Sequence, residues 1–162
     1  MEILFDRAKI LGTLLKGQQE TVSVAESSSG GLISAALLSV SGASTYFKGS
    51  CVIYTQDARR QLLGLPDDIA TMRGANEEYA MIVAKAVREK LTSTWGICET
   101  GATGPTGNRY GDVAGHVCIA IAGPKNVAMT LETGSSDREE NMWIFAQTTL
   151  DFLISQLKDK VV

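Results

Sequence analysis

The stretch "TVSVAESSSGGLISAALLSV", Thr21 to Val40, decides the fold. It begins as a strand, with Val22 and Val24 alternating with Thr21 and Ser23. It then breaks into Ser27, Ser28, Ser29, Gly30 and Gly31, and continues as an alanine-rich apolar run of helical character. A strand feeding a helix through a turn of small residues is the first half of a βα unit, and open α/β sheets hold ligands at such turns. Glycines let a ligand approach the backbone, and the N–H groups at a helix start favour an anion. The same residues also read as a plain N-cap with a tight turn. A Walker A loop is excluded, because no Lys-Ser/Thr pair follows at the required spacing.

On either side of this unit the periodicity is clear. Leu4, Ala8, Leu11 and Leu15 predict an amphipathic helix ending near Gly17. "GSCVIY", Gly49 to Tyr54, reads as a short buried strand, and Asp57 to Leu63 as a helix stopped by "GLPDD". Asn76 is an N-cap candidate, with Glu77 and Glu78 complementing the dipole and Ala80, Val83, Val87 and Leu91 on one face. "WGICETG" is a strand that runs into a second glycine-rich turn, Gly101 to Gly111, with four glycines and a proline in eleven residues. "GHVCIAIAG" and "NVAMTLETG" pair as a hairpin through Pro124-Lys125. Ser136 and Glu139 fit a capping box for a last helix with Met142, Phe145, Leu150, Leu153 and Leu157 on its apolar side and Lys158 and Lys160 at its end. The order α-β-α-β-α-α-β-β-β-α predicts an α/β protein: a three-layer α/β/α sandwich around a mixed, mainly parallel sheet. A length of 162 residues fits one domain, residues 1–162.

Composition narrows the function classes. The net charge of −3 and the lack of a Lys/Arg cluster argue against nucleic acid or an anionic membrane as partner. Pairs such as Arg59-Arg60 read as solvated. No apolar run reaches the roughly 20 residues of a membrane helix, and "MEILFDRAKI" lacks a signal-peptide pattern. Cys51, Cys98 and Cys118 sit in apolar strand-like runs without metal-type spacing, which predicts buried, reduced thiols and a cytoplasmic protein.

Two glycine-rich turns following two strands can meet at one sheet edge, which favours a ligand cleft. The second is also long for a mere connection, although a flexible surface loop would carry the same residues. "GASTYFKGSCVIYTQDARR", Gly42 to Arg60, adds Ser44, Tyr54 and Arg59. A serine nucleophile needs a base and an oxyanion partner. His116, the only histidine, reads as structural or as that base.

The blocks "AESSSGGLISAALLSVSGASTYFKGSCVIYTQDAR", "LLGLP" and "TGATGP" together resemble the C-terminal domain of the CinA family, over nearly the whole chain. The family's Glu-Ser-Cys-Thr-Gly-Gly turn corresponds to Glu26 through Gly31, and its Gly-Ser-Ser-x-x-Phe segment to Gly42 through Phe47. The family contains nicotinamide-mononucleotide deamidases, amidohydrolases that need no metal or cofactor. The resemblance implies Ser44 as nucleophile, Tyr54 as supporting residue and Arg59 at the position of a catalytic lysine. Arginine stays protonated, so Arg59 can stabilise charge but cannot take a proton. Ser28, Ser29, Gly30, Gly31, Gly101, Thr103, Gly104 and Arg138 are the implied substrate-binding residues. The implied partners are a small nucleotide ligand and further copies of the chain in a homo-oligomer. The substitution at position 59 leaves a second reading open, a nucleotide-binding or interaction protein that has lost the base.

Overall fold

The computed structural model describes residues 2–159, so Lys160 lies outside the described residues. Helix α1 (Glu2–Gln18) precedes strand β1 (Val22–Glu26), the stretch that opens the sheet. Then come α2 (Leu32–Leu38), a single 3₁₀ turn at Ala43–Thr45, and β2 (Phe47–Val52). A short α3 (Gln56–Ala58) widens into a π turn at Arg59–Leu63, followed by α4 (Asp67–Ala70) and α5 (Glu77–Leu91). Strands β3 (Trp95–Ala102), β4 (His116–Ala122) and β5 (Val127–Glu132) lead to α6 (Arg138–Lys158).

The sheet runs β2-β1-β3-β4-β5. Strand β1 is parallel to both β2 and β3, while β4 is antiparallel to β3 and β5. Only β4 is reversed, so the mixed sheet is mainly parallel in direction. Helices α1, α2 and α6 cover one face, closing over Val22, Val24, Trp95, Ile97 and Ile121. Helix α5 covers the other, with Ala25, Cys98, Cys118 and Ala120 beneath it. Burial on both faces explains why β4 reads as a nearly unbroken apolar run and why β1 and the first six residues of β3 are buried throughout. Leu4, Ala8, Leu11 and Leu15 are all fully buried, as their helical spacing requires. Truncating one of these leucines to alanine would cost about 2–5 kcal/mol through lost burial and the cavity left.

Four local expectations are corrected. The strand expected at 49–54 is two residues earlier, and as an edge strand it exposes alternate residues; Tyr54 stands beyond its end. Cys51, on that edge, is half-buried, whereas Cys98 and Cys118 are buried. The α6 cap is Asp137, whose carboxylate accepts from the Glu140 amide at 2.9 Å, one residue later than the expected Ser136. Finally, the helix expected at 57–63 holds a π turn, whose extra residue separates the two arginines. Arg60 turns outward to Asp57 and Asp67, while Arg59 turns inward over the Tyr79 ring at 4.6 Å.

Candidate active site

Strands β1 and β3 are adjacent and parallel, with Ala25 opposite Cys98. Both glycine-rich turns therefore leave the same edge of the sheet. Between and above them lies a cleft of two lobes. The larger, about 460 Å³, is bordered by Ser27, Tyr54, Arg59, Thr100, Arg109 and Tyr110, among others. The smaller, about 230 Å³, is bordered by Ser28, the Gly101–Gly107 backbone and Arg138. Tyr54, Gly101 and Asn108 belong to both.

The Ser27–Gly31 turn is built around two carboxylates of the protein itself. Glu26 and Glu99, at the ends of β1 and β3, are fully buried. Glu99 Oε2 accepts from the amides of Ser27 and Ser29 at 3.1 and 2.9 Å. Glu26 Oε2 accepts from Gly31 N and Ile33 N at 3.0 and 3.1 Å, and its Oε1 from Ser34 N at 2.8 Å and from the Ser34 hydroxyl. Gly31, at φ 101°, adopts the left-handed geometry that aims its amide inward, a conformation that favours glycine. Ser29 Oγ lies 2.9 Å from Glu26 Oε2 and 2.7 Å from Glu99 Oε2. With one proton, the hydroxyl donates to one of them at a time. Desolvation pushes the Glu99 carboxyl above its usual range, against the hydrogen bonds from Ser29 and Ser27 that pull it down, while the Glu26 charge adds to the rise. Glu99 Oε1 has no hydrogen-bond partner among the described residues. The anion met by the amides of Ser27, Ser29 and Gly31 is thus internal.

The second turn is organised by Asn108 and Asp112. Asn108 Oδ1 accepts from the amides of Tyr110 and Asp112, and its side-chain amide donates to Asp112 at 2.7 Å. Arg73 reaches Asp112 at 2.7 Å. Burial alone would raise the Asp112 carboxyl, but the Asn108 and Arg73 hydrogen bonds and the nearby His116 and Arg73 charges outweigh it and hold the group below its usual value. Gly104 stands at φ 110°, where an added Cβ would lie 2.6 Å from the Ser136 carbonyl. Its own carbonyl accepts from Arg138 at 2.7 Å, and Arg138 also donates to Tyr54 Oη at 3.3 Å.

Tyr54, Arg59, Ser28, Gly101, Thr103, Gly104 and Arg138 all border the cleft. Ser29 instead faces the buried carboxylates, Gly31 gives its amide to Glu26, and Gly30 is exposed. Ser44 is not brought to the cleft. Its 3₁₀ turn precedes β2, whereas Tyr54 and Arg59 follow it. Strand β2 starts opposite Val22 and ends opposite Glu26, so Ser44 sits at the far edge of the sheet, roughly 20 Å away at strand rise. The serine that shares the larger lobe with Tyr54 and Arg59 is Ser27. His116 packs outside the cleft, its ring nitrogens 2.9 Å from the Ala75 carbonyl and 3.1 Å from Glu132. Arg59 donates to the carbonyls of Ala70 and Met72 at 3.1 and 3.3 Å and ties the π turn to the loop that walls the cleft. Thr100, Asn108, Arg109 and Tyr110 escaped sequence reasoning; the only signal was polar and aromatic residues within a glycine-rich run. No Asp, Glu, His or Lys borders either lobe among the described residues, while Arg59, Arg109 and Arg138 do.

The fold and the arginine-rimmed cleft define an α/β protein with a two-lobed cleft at a strand-end edge of its sheet. The chain belongs to the CinA C-terminal domain family, whose model matches residues 5–157. A CinA-like protein of Cyanothece sp. is 39% identical over 93% of this chain, and one of Trichormus variabilis is 33% identical over the same share. The chain spans only 37% of the length of each of those relatives. A competence/damage inducible protein of Agrobacterium tumefaciens superposes with a TM-score of 0.87 over 96% of both chains at 28% identity. A CinA superfamily protein of Enterobacter cloacae does so at 0.86 over 95% of this chain and 92% of that one; at 24% identity this is a likeness of fold. Among the described residues no helix is long and apolar enough to cross a membrane.

Proposed function

We propose that residues 1–162 form one cytoplasmic, homo-oligomeric CinA C-terminal-type domain that binds a pyridine mononucleotide and hydrolyses its carboxamide, with Ser27 as the nucleophile. The observation that supports this is the meeting of Ser27, Tyr54 and Arg59 in one lobe. Ser27 Oγ attacks the amide carbon, and its proton passes through the Tyr54 hydroxyl to the departing ammonia. Water then cleaves the acyl-serine ester and leaves the nicotinic acid nucleotide. Arg59 and Arg138 supply positive charge, Arg138 also holding Tyr54.

A second reading, ligand binding without turnover, is favoured by one observation: among the described residues, no side chain able to serve as an efficient general base borders the lobes. Incubation with nicotinamide mononucleotide, following ammonia release, separates the two. The first reading expects turnover that Ser27→Ala abolishes. Turnover that survives Ser27→Ala and is lost in Ser44→Ala would return the nucleophile to Ser44. Saturable binding without ammonia release would leave the second reading.

A further inference from the structure

We propose that the smaller lobe is a phosphate-monoester subsite whose donors are the Ser28 hydroxyl, the backbone amides of Thr103, Gly104, Thr106 and Gly107, and the Arg138 guanidinium. This assignment rests on the nucleotide reading of the cleft and divides the ligand between the two lobes. Three independent features carry it. First, Ser28 is only 6% exposed and borders this lobe, yet its Oγ has no hydrogen-bond partner among the described residues. A buried hydroxyl left unpaired is costly. One turn about χ1 redirects a serine hydroxyl between staggered wells, so a ligand oxygen in the lobe would satisfy it.

Second, the amides of Thr103, Gly104, Thr106 and Gly107 donate to no protein acceptor among the described residues. Successive unpaired amides in a glycine-rich loop form a concavity suited to an anion. Third, Arg138 enters from α6 and, among the described residues, no carboxylate borders the lobe. In the first turn the amides of Ser27, Ser29 and Gly31 are already taken by Glu99 and Glu26. With phosphate in the smaller lobe, the ligand crosses at Tyr54 and Gly101, and the sugar and ring lie in the larger lobe beside Ser27.

Ser28→Ala gives the test a signature that a structural role cannot imitate. Removing an unpaired buried hydroxyl should raise the melting temperature, while removing a ligand donor should weaken binding. Calorimetric titrations would use nicotinamide mononucleotide, nicotinamide riboside, ribose 5-phosphate and inorganic phosphate. Expected in the wild type is binding of the mononucleotide at least tenfold tighter than the riboside, and of ribose 5-phosphate tighter than inorganic phosphate. In Ser28→Ala, the mononucleotide and ribose 5-phosphate should weaken about tenfold, a charged hydrogen bond's worth, with the riboside unchanged. Arg138→Gln should do the same, and stands in if Ser28→Ala does not fold.

Equal binding of mononucleotide and riboside, both indifferent to Ser28→Ala, overturns the subsite and leaves the nucleotide reading standing. Ribose 5-phosphate that binds and responds to Ser28→Ala, with no gain from the pyridine ring, upholds the subsite and sinks the pyridine reading. Inorganic phosphate binding as tightly as the ester overturns the monoester assignment. No binding of any probe overturns both.

Discussion

The Ser27–Gly31 and Gly101–Gly111 turns share a small-residue composition and leave neighbouring parallel strands at the same sheet edge. They use their backbone donors in opposite ways. The first is closed on Glu26 and Glu99, which take the Ser27, Ser29 and Gly31 amides, while Ser27 borders one lobe and Ser28 the other. The second ties its far half to Asn108 and Asp112 and leaves amides at its near half unpaired. A glycine-rich turn after a strand therefore marks backbone donors without saying who receives them. A carboxylate within reach decides that, and here it comes from the adjacent strand.

The largest expected effect tests what the first turn leaves Ser27 without. Arg59→Lys places an amine that can lose its proton in the same lobe as Ser27. General-base gains are on the order of a hundredfold to ten-thousandfold, so ammonia release from nicotinamide mononucleotide should rise by that order. It should also climb with pH, since only the neutral amine accepts a proton, and Ser27→Ala should erase it. Losing the guanidinium bonds to Ala70 and Met72 and the stack on Tyr79 should cost about 1 kcal/mol of stability. Fast wild-type turnover that Arg59→Lys slows would place the base elsewhere.

The next effect tests the internal anion. Glu26→Gln keeps the shape but turns an NH₂ toward donors that now meet a carboxylate. At least one of these donors loses its acceptor in a fully buried site, at a cost of about 2–4 kcal/mol. Urea unfolding measures it. A change below half a kcal/mol would mean that the turn stands without its carboxylate.

Much of the fold was legible because periodicity reports burial. The spacing of Leu4, Ala8, Leu11 and Leu15, the apolar run of β4 and the two glycine-rich turns carry their own positions. The closure of the first turn was not legible, since Glu99 reaches it across 70 residues of sequence and only the strand order β1-β3 brings it there. Half of the Ser44 correction was legible: a strand between Ser44 and Tyr54 already separates them in a parallel sheet. The resemblance supplied Ser44, and strand direction places it at the opposite end of β2 from Tyr54 and Arg59. The half-buried state of Cys51 follows from β2 being an edge, which pairing decides and local pattern does not.

A third effect acts on the second turn. Gly104→Ala forces a side chain onto a positive φ and against the Ser136 carbonyl. The cost should be about 1–3 kcal/mol in the urea midpoint. Because the Gly104 carbonyl anchors Arg138, mononucleotide affinity should fall too. The same substitution at Gly111, also at positive φ but with open space around the added Cβ, carries the backbone strain without the clash or the loss of the Arg138 anchor, so affinity should fall less.

The smallest effects are pH dependences of opposite sign, one for each turn. Burial raises the folded-state Glu99 carboxyl above its unfolded value. The folded protein then holds this proton longer than the unfolded chain, so its contribution is full below the ordinary glutamate range and is lost as pH rises through the folded value. Asp112 is held below its unfolded value. Its contribution is present above the ordinary aspartate range and is lost as pH falls through the folded value. Glu99→Gln can keep one oxygen on the Ser27 and Ser29 amides while removing a charge that burial disfavours. It should raise stability at neutral pH by on the order of 1 kcal/mol and remove the decline with rising pH. Asp112→Asn loses the charge-assisted bond from Arg73. It should lower stability at neutral pH by about 1 kcal/mol and flatten the acid limb. Urea midpoints of both variants, measured from acid to neutral pH, should therefore diverge from the wild type in opposite directions. Two variants that move the same way would show that the carboxylates of the two turns share one electrostatic environment, and the contrast between the turns would fail at its chemical root.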